Sequence, residues 1–210
     1  MYRPAHFATD EPAALAALMR AHPLATLVHR HDGALDADPI PLLYDPAASP
    51  EAPHGWLRGH VARANPLWRT AGGRDVLAIF QGPQAYVTPS WYPSKAVTHK
   101  VVPTWNYAVV HAHGPLRAVD DAAWLHALVT RLTDTHEAAR AQPWAVSDAP
   151  PDYVAQMLRA IVGIEIAVTR LEGKFKLSQN RDAADRRGVA DGLAHDGTPR
   201  GTDLARWMSR

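Results

Sequence analysis

Cationic, hydrogen-bonding and aromatic side chains recur together in three segments of the sequence, 58–68, 79–107 and 173–181. Cations and hydroxyls that converge from several strands can neutralise and orient a phosphate, and aromatic faces can cover a planar ring. The pattern predicts a site for a flat, anionic ligand. The alternative is that the aromatics fill the core while the cations lie at the surface. The candidate residues are Arg58, His60, Arg63, Lys95, Lys100, Lys174, Lys176 and Ser178.

The lysines stand out because the chain contains 18 arginines and only four lysines. A lysine kept against that background indicates a need for a compact, flexible point charge. A cation of this kind near the pyrimidine edge of a flavin would stabilise the reduced anion. In an extended chain, Lys174, Lys176 and Ser178 fall on one face, because alternate residues of a strand point the same way.

Several other chemistries have no support in the sequence. The absence of cysteine excludes disulfides and a thiolate nucleophile, and no Rossmann, P-loop or GxSxG motif occurs. The histidine pairs His29/His31 and His111/His113 lack a third ligand at fixed spacing, so we expect no metal site. A net charge of +1 gives no global attraction to nucleic acid or anionic lipid. No catalytic residue is assigned.

The elements that would carry these residues are mainly short strands. We expect strands at 24–30, 35–44, 55–61, 76–80, 84–88 and 104–119, with a hairpin turn at 31–33 and a break at Gly114-Pro115. An apolar strand, 161–171, continues into 173–181. Helices are predicted at 120–139, capped by Asp120 or Asp121, at 152–160, and in the tail on both sides of 197–201. Strands in runs favour an antiparallel barrel in an α+β protein.

Five motifs, in this order, closely resemble the PaiB family of flavin-binding-type negative transcriptional regulators: MYRPAHF, GHVARANPLW, FQGPQAYVTPSWY, VPTWNY and GKFKLSQNR. The resemblance covers nearly the whole chain. The family is similar to FMN-binding split-barrel proteins, which include pyridoxamine-phosphate oxidases and flavin reductases. The resemblance therefore implies a six-stranded antiparallel Greek-key split β-barrel over 1–180 with flanking helices, and a helical extension over 181–210 packed on the same domain.

The resemblance also implies where FMN binds. The stretch 57–65 would meet the flavin phosphate through Arg58, His60 and Arg63, with Asn65 at its end; His60 replaces the usual Ser or Thr as hydrogen-bond donor. The loop 95–106 and the strand 174–179 would supply the contacts to the ring. These remaining contacts are Lys95, Lys100, Thr104, Trp105, Asn106, Lys174, Lys176, Ser178 and Gln179.

The first hypothesis is a cytoplasmic homodimer that binds FMN between protomers and acts as a non-enzymatic repressor, with promoter DNA as a further partner. No stretch is apolar enough to cross a membrane. The second hypothesis is an FMN-dependent oxidoreductase in which Trp91, Tyr92 and Trp105 wall the substrate side. A third is an empty barrel that acts as an interaction protein.

Overall fold

The computed structural model describes residues 1–209, and in this part of the chain nine strands and seven α-helices form. The strands are β1 (Ala8–Thr9), β2 (Leu24–His31), β3 (Ala34–Pro41), β4 (Leu43–Asp45), β5 (Trp56–Ala62), β6 (Asp75–Val87), β7 (Thr104–Val119), β8 (Ile161–Ala167) and β9 (Arg170–Lys176). The helices are α1 (Pro12–Ala21), α2 (Leu67–Thr70), α3 (Lys95–Thr98), α4 (Ala122–Glu137), α5 (Pro151–Arg159), α6 (Ala183–His195) and α7 (Pro199–Met208). Single 3₁₀ turns occupy Pro89–Trp91 and Val146–Asp148. None of the described helices is both long and apolar enough to span a bilayer.

The chain divides into two compact units. The first unit comprises Met1–His22, Phe80–His111 and the chain from Glu172 onward; the second comprises Pro23–Ile79 and Ala112–Leu171. Strands β6 and β7 each give residues to both units. The predicted phosphate ligands, 58–65, lie in the second unit. The other predicted ligand-binding residues lie in the first unit.

The second unit is built on antiparallel ladders. β2 pairs with β3 and β6, β5 pairs with β4 and β8, and β8 pairs with β7. The predicted hairpin turn is confirmed: Asp32 and Gly33 have φ angles of 47° and 83°, the left-handed pair that joins two twisted strands with least distortion. Helix α4 packs close to β8, since a Cβ added at Gly163 would lie 2.3 Å from the Trp124 ring.

In the first unit a core forms between segment 79–107 and the two tail helices, α6 and α7. β1 pairs antiparallel with β9, where Ala8 lies opposite Lys174. A buried cluster joins residues of segment 79–107 and the residue that follows β9 to residues of α6 and α7: Val87, Tyr92, Leu177, Val189, Leu193 and Leu204. Burial of one such side chain contributes about 1.5–3 kcal/mol. This packing fixes the tail helices against the segment 79–107, which carries six of the chain's 16 aromatic residues.

The predicted strand count and several strand boundaries are wrong. Nine strands form instead of six, partly because β1 and β4 are only two and three residues long. The two strands predicted around Gly82-Pro83 are one, and Gly114 does not break β7. A Cβ at Gly82 would lie 2.9 Å from Leu18, and one at Gly114 would lie 1.8 Å from the Ala167 carbonyl oxygen. These glycines permit close packing of a continuous strand rather than a turn.

Two predicted strands are each divided. Between β3 and β4, the Leu42 amide donates to the Pro23 carbonyl instead of joining a ladder. Between β8 and β9, the Val168 amide donates to the Gly55 carbonyl, so the apolar run and the lysine-bearing strand are separate. The helix predictions fared better: Asp121 caps α4 by accepting a hydrogen bond from the Trp124 amide (2.7 Å), and the tail forms two helices with a break after His195.

Candidate flavin site

The predicted phosphate ligand Arg58 is held by carboxylates. It lies on β5 in the second unit, where Nη1 donates to Asp45 (2.5 Å) and Nε donates to Glu165. Glu165 is 1% exposed and pairs also with Arg117. Burial alone would lower the pKa of Arg58, but its bonds to Glu165 and then Asp45 raise it above its usual value. The guanidinium groups of Arg58 and Arg117 both lie over the Trp56 ring. We call these five side chains the arginine cluster: Asp45, Trp56, Arg58, Arg117 and Glu165.

Two of the other predicted phosphate ligands, Arg63 and Asn65, also have protein partners, whereas the buried Nδ1 of His60 has none among residues 1–209. Arg63 makes a bidentate pair with Asp120 (2.6 and 2.8 Å) and donates to two backbone carbonyls. Asn65 donates to Asp38 (2.9 Å) and accepts from the Leu67 amide at the start of α2 (2.8 Å). His60 is partly buried, and this burial lowers its pKa and favours the neutral ring. Both arginines of the predicted phosphate site therefore already have carboxylate partners.

A different arrangement surrounds the lysines of β9 in the first unit. The Lys176 ammonium donates to Thr104 Oγ1 (2.6 Å) and to the Trp105 carbonyl oxygen (2.5 Å). Burial, followed by repulsion from Lys174 and Arg181, lowers the pKa of Lys176. Within residues 1–209, no carboxylate pairs with any of these three cations. We call Lys174, Lys176 and Arg181 the lysine cluster; its positive charge is not neutralised within this part of the chain.

Aromatic rings surround the lysine cluster. The Lys174 ammonium lies 5.5 Å from the ring centroids of both Tyr2 and Tyr107, and Lys176 lies 5.8 Å from that of Phe7. Trp105, whose carbonyl binds Lys176, leaves 53% of its own surface exposed and meets Tyr86 edge to face. An exposed indole beside unpaired cations offers a planar ligand both a ring surface and a counter-charge.

The turn after β9 brings two further predicted residues, Asn106 and Ser178, into contact with each other. Asn106 is fully buried, and its Nδ2 donates to Ser178 Oγ (2.9 Å), while its Oδ1 has no partner among the described residues. Ser178 has a φ of 64°, a left-handed conformation that is uncommon outside glycine. Gln179 stabilises this turn, since it accepts from the Leu177 amide (2.7 Å) and donates to the Phe175 carbonyl.

The structure thus brings together one part of the predicted site and not the rest. Lys176, Thr104 and Trp105 are in direct contact, as are Asn106 and Ser178. Lys95 lies on α3 with its ammonium 3.3 Å from Ser90 Oγ, and Lys100 is exposed after that helix; neither joins the contacts of the lysine cluster.

Sequence reasoning missed the carboxylates that hold the arginines. Glu165 carried a signal, because it is the single charge in the apolar run IVGIEIAV, and a buried carboxylate needs a cationic partner. Arg181 ends the segment 173–181 and is not among the predicted contacts, although it belongs to the lysine cluster. Its guanidinium lies 4.9 Å from the centroid of the buried Tyr92 ring.

Solved structures of other proteins share this fold. Similar solved structures include a flavocytochrome, Anf3, from Azotobacter vinelandii (TM-score 0.61, 14% identity, 89% of this chain and 78% of that chain). Another is an FAD and heme binding protein from Mycobacterium smegmatis (TM-score 0.59, 17% identity, 88% of this chain and 80% of that chain). The expectation of an α+β antiparallel split-barrel fold is confirmed, with nine strands in the described residues instead of six.

The family follows from the sequence comparisons. Residues 1–170 match the family described as "Putative FMN-binding domain", and the chain belongs to that family. It is 31% identical to the "Protease synthase and sporulation protein PAI 2" of Bacillus subtilis over 99% of this chain and 96% of the relative. It is 35% identical to protein AN0679 of Emericella nidulans over 98% of this chain and 95% of the relative. The resemblance to PaiB proteins is confirmed.

The expected cofactor, FMN or a related flavin, is supported by the family. The lysine cluster fits such a molecule on two observations: its cations lack carboxylate partners, and the buried Asn106 Oδ1 lacks a hydrogen-bond donor. A flavin offers a phosphate to the cations of the lysine cluster, and a ring N–H or ribityl hydroxyl group to Asn106 Oδ1. The residues that would hold such a molecule here are Thr104, Trp105, Asn106, Lys174, Lys176 and Ser178.

Proposed function

We propose that this chain is a flavin-binding regulator of the PaiB type, and that the lysine cluster holds the negative charge of the flavin. The observation that carries the placement is the Lys176 ammonium, which Thr104 and the Trp105 carbonyl hold and which pairs with no carboxylate of residues 1–209, while Lys174 and Arg181 add like charge. A bound anion would offset the cost of keeping these charges together. The regulatory role is supported by the similarity to PAI 2 over nearly the whole chain.

The two lysines of the lysine cluster and their neighbours have distinct roles in this proposal. Lys176 is oriented by Thr104 and the Trp105 carbonyl, so its remaining hydrogen-bonding capacity is directed to the ligand. Lys174 adds a second charge, and the exposed Trp105 ring covers one face of the flavin. Gln179 acts indirectly, because it stabilises the turn that presents Ser178.

Phosphate binding by Arg58, His60, Arg63 and Asn65 stays a prediction. For Arg58 to bind phosphate, it would have to give up its hydrogen bond to Asp45 or to Glu165, although Glu165 would keep Arg117. The loss of one charge-assisted hydrogen bond costs about 1.5–3 kcal/mol. The lysine cluster carries no such cost, and we therefore place the anionic groups there. Lys95 and Lys100 remain predicted contacts that a ligand could draw in.

The proposal includes a homodimer with FMN between protomers, a cytoplasmic location, and promoter DNA as the regulatory target. It also includes the packing of the helical extension, 181–210, on the same domain as 1–180, supported by the burial of Val189, Leu193 and Leu204 of the tail helices. Flavin binding or reduction would regulate the protein by favouring one state of the dimer. The ligand can shift that balance only by its difference in affinity for the two states.

A flavin-dependent oxidoreductase is the second candidate, favoured by the open surface of Trp105 beside Tyr86. A bound flavin would supply hydride or electron transfer, and the protein would position a planar substrate on these rings. Reoxidation of the bound flavin that depends on an added substrate, with no retention of promoter DNA, would favour this alternative.

The first experiment is purification followed by reconstitution with FMN. We expect a yellow protein that retains FMN through gel filtration, and specific, salt-sensitive retention of promoter DNA. A colourless protein that takes up no FMN would exclude both flavin functions. Flavin retention without specific DNA binding would exclude the regulatory role alone.

A further inference from the structure

A second polar arrangement lies in the second unit and plays no part in the flavin proposal. His29 is 4% exposed on β2, and its Nε2 lies 2.8 Å from Asp38 Oδ2 on β3. The other carboxylate oxygen of Asp38 accepts from Asn65 Nδ2 (2.9 Å). The three side chains form a linear chain of hydrogen bonds, Asn65 to Asp38 to His29.

This chain of hydrogen bonds fixes the proton on the imidazole. An ionised carboxylate only accepts hydrogen bonds, so Nε2 of His29 carries the proton that it donates to Asp38. In the neutral ring Nδ1 is then an acceptor, and it has no hydrogen-bond partner among residues 1–209. A buried acceptor of this kind is matched by a hydroxyl or amine donor on a ligand.

The ring of His29 lines a cavity of about 390 Å³ at the end of β2. This volume lies within the range of small-molecule sites, ~300–1,000 Å³. Arg30 and Arg74 contribute positive charge to the wall, and neither forms an ion pair with a carboxylate in the described part of the chain. Arg30 donates only to the Gly33 carbonyl (3.2 Å).

The remaining walls are mixed. Apolar surface comes from Val28, Leu35 and Leu77, while Asp75 and His113 also line the cavity. Two guanidinium groups against one carboxylate leave the wall net positive. The cavity thus combines a counter-charge for an anion, apolar surface for a short carbon chain, and a buried acceptor.

We propose that this cavity binds a small hydroxycarboxylate. The carboxylate would meet Arg30 and Arg74, the hydroxyl would donate to His29 Nδ1, and the carbon chain would lie on Leu35 and Leu77. Arginine suits this role because its planar fork matches a carboxylate. The proposal does not depend on the flavin site, and it would give the protein a second ligand to sense.

The test uses four probes and two variants of the full chain. Binding of 2-hydroxybutyrate, butyrate, 2-hydroxybutyramide and inorganic phosphate is measured by saturation-transfer NMR, with and without saturating FMN. We expect 2-hydroxybutyrate to bind at least about tenfold more tightly than the amide, which lacks the charge, and several-fold more tightly than butyrate, which lacks the hydroxyl. Inorganic phosphate should bind more weakly, because it has no chain to cover the apolar wall.

Arg74→Gln should weaken 2-hydroxybutyrate binding by about tenfold, whereas Arg200→Gln, an exposed arginine outside the cavity, should leave it unchanged. Three results would overturn the proposal. The first is that 2-hydroxybutyrate shows no saturable binding at concentrations up to tens of millimolar. The second is that it binds Arg74→Gln as tightly as the wild type, and the third is that its binding is lost when FMN saturates the protein. The last would assign the cavity to the flavin instead.

Discussion

The arginine cluster and the lysine cluster both concentrate positive charge, but they differ in what neutralises it. In the arginine cluster, Asp45 and Glu165 supply the opposite charge from within the same unit. In the lysine cluster, hydroxyl and carbonyl oxygens hold Lys176 and no carboxylate of residues 1–209 pairs with it. A cation with a built-in partner stabilises the fold, whereas one without a partner is available to a ligand. The two clusters thus show how charge can be assigned to structure or to binding.

The largest expected effect tests the structural half of this comparison. Glu165→Ala removes a buried carboxylate and leaves Arg58 and Arg117 facing each other, so the free energy of unfolding should fall by about 3–5 kcal/mol. Urea denaturation followed by circular dichroism measures it. Glu51→Ala, at an exposed loop carboxylate, is the matched control and should change stability by less than about 0.5 kcal/mol. A Glu165 variant as stable as the control would show that the arginine cluster is not structural.

A second change tests whether the first unit depends on packing rather than ion pairs. Gly192 of α6 lies against Trp91, and an added Cβ would come within 2.4 Å of the indole ring. Gly192→Val should therefore lower the free energy of unfolding by about 1–3 kcal/mol, the usual cost of overpacking. Ala194→Val, at an exposed position of the same helix, should cost a few tenths of a kcal/mol. Equal losses in the two variants would contradict the close packing.

The ring-binding role assigned to Trp105 predicts a smaller effect, on affinity alone. Trp105→Ala removes an exposed aromatic face beside the lysine cluster, so the Kd for FMN should rise by about two- to tenfold, the equivalent of roughly 0.5–1.5 kcal/mol. Flavin fluorescence titration measures it. Trp144→Ala, at an indole with similar exposure in the second unit, should leave the Kd unchanged. If both variants bind FMN like the wild type, the ring lies elsewhere.

The smallest effect concerns the pH dependence of stability. Burial lowers the pKa of His60, so the unfolded chain binds more protons than the folded chain between that lowered pKa and 6.5. The free energy of unfolding should therefore rise with pH across this window, by less than about 1.4 kcal/mol per pH unit for one group. His60→Gln should flatten the slope measured by denaturation between pH 5 and about 7. His54→Gln, at an exposed histidine, should not.

The sequence predicted the fold class and the helix positions because these depend on local signals. Asp121 as a cap and Asp32-Gly33 as a hairpin turn are determined by neighbouring residues. Gly82 and Gly114 misled because a glycine that permits close packing has the same sequence signal as one that forms a turn. The contacts that cause the difference, to Leu18 and Ala167, lie far away along the chain.

Long-range pairing also explains which part of the site was predictable. Lys174 and Lys176 could be placed together because they alternate along one strand. The partner of Arg58 could not, because Glu165 lies 107 residues further along the chain. Residue type identifies Arg58 and Lys176 equally well as anion ligands, and only the tertiary structure shows that one of them already has a partner.

The central claim is that the lysine cluster, and not the arginines of 57–65, holds the charge of the flavin. It is tested most directly by FMN titration of Lys176→Gln and Arg63→Gln at one pH and one salt concentration. Lys176→Gln should raise the Kd about 10- to 150-fold, the equivalent of roughly 1.5–3 kcal/mol for a charged hydrogen bond, while Arg63→Gln should stay within about twofold of the wild type. The reverse order, with Arg63→Gln losing FMN and Lys176→Gln retaining it, would contradict the placement.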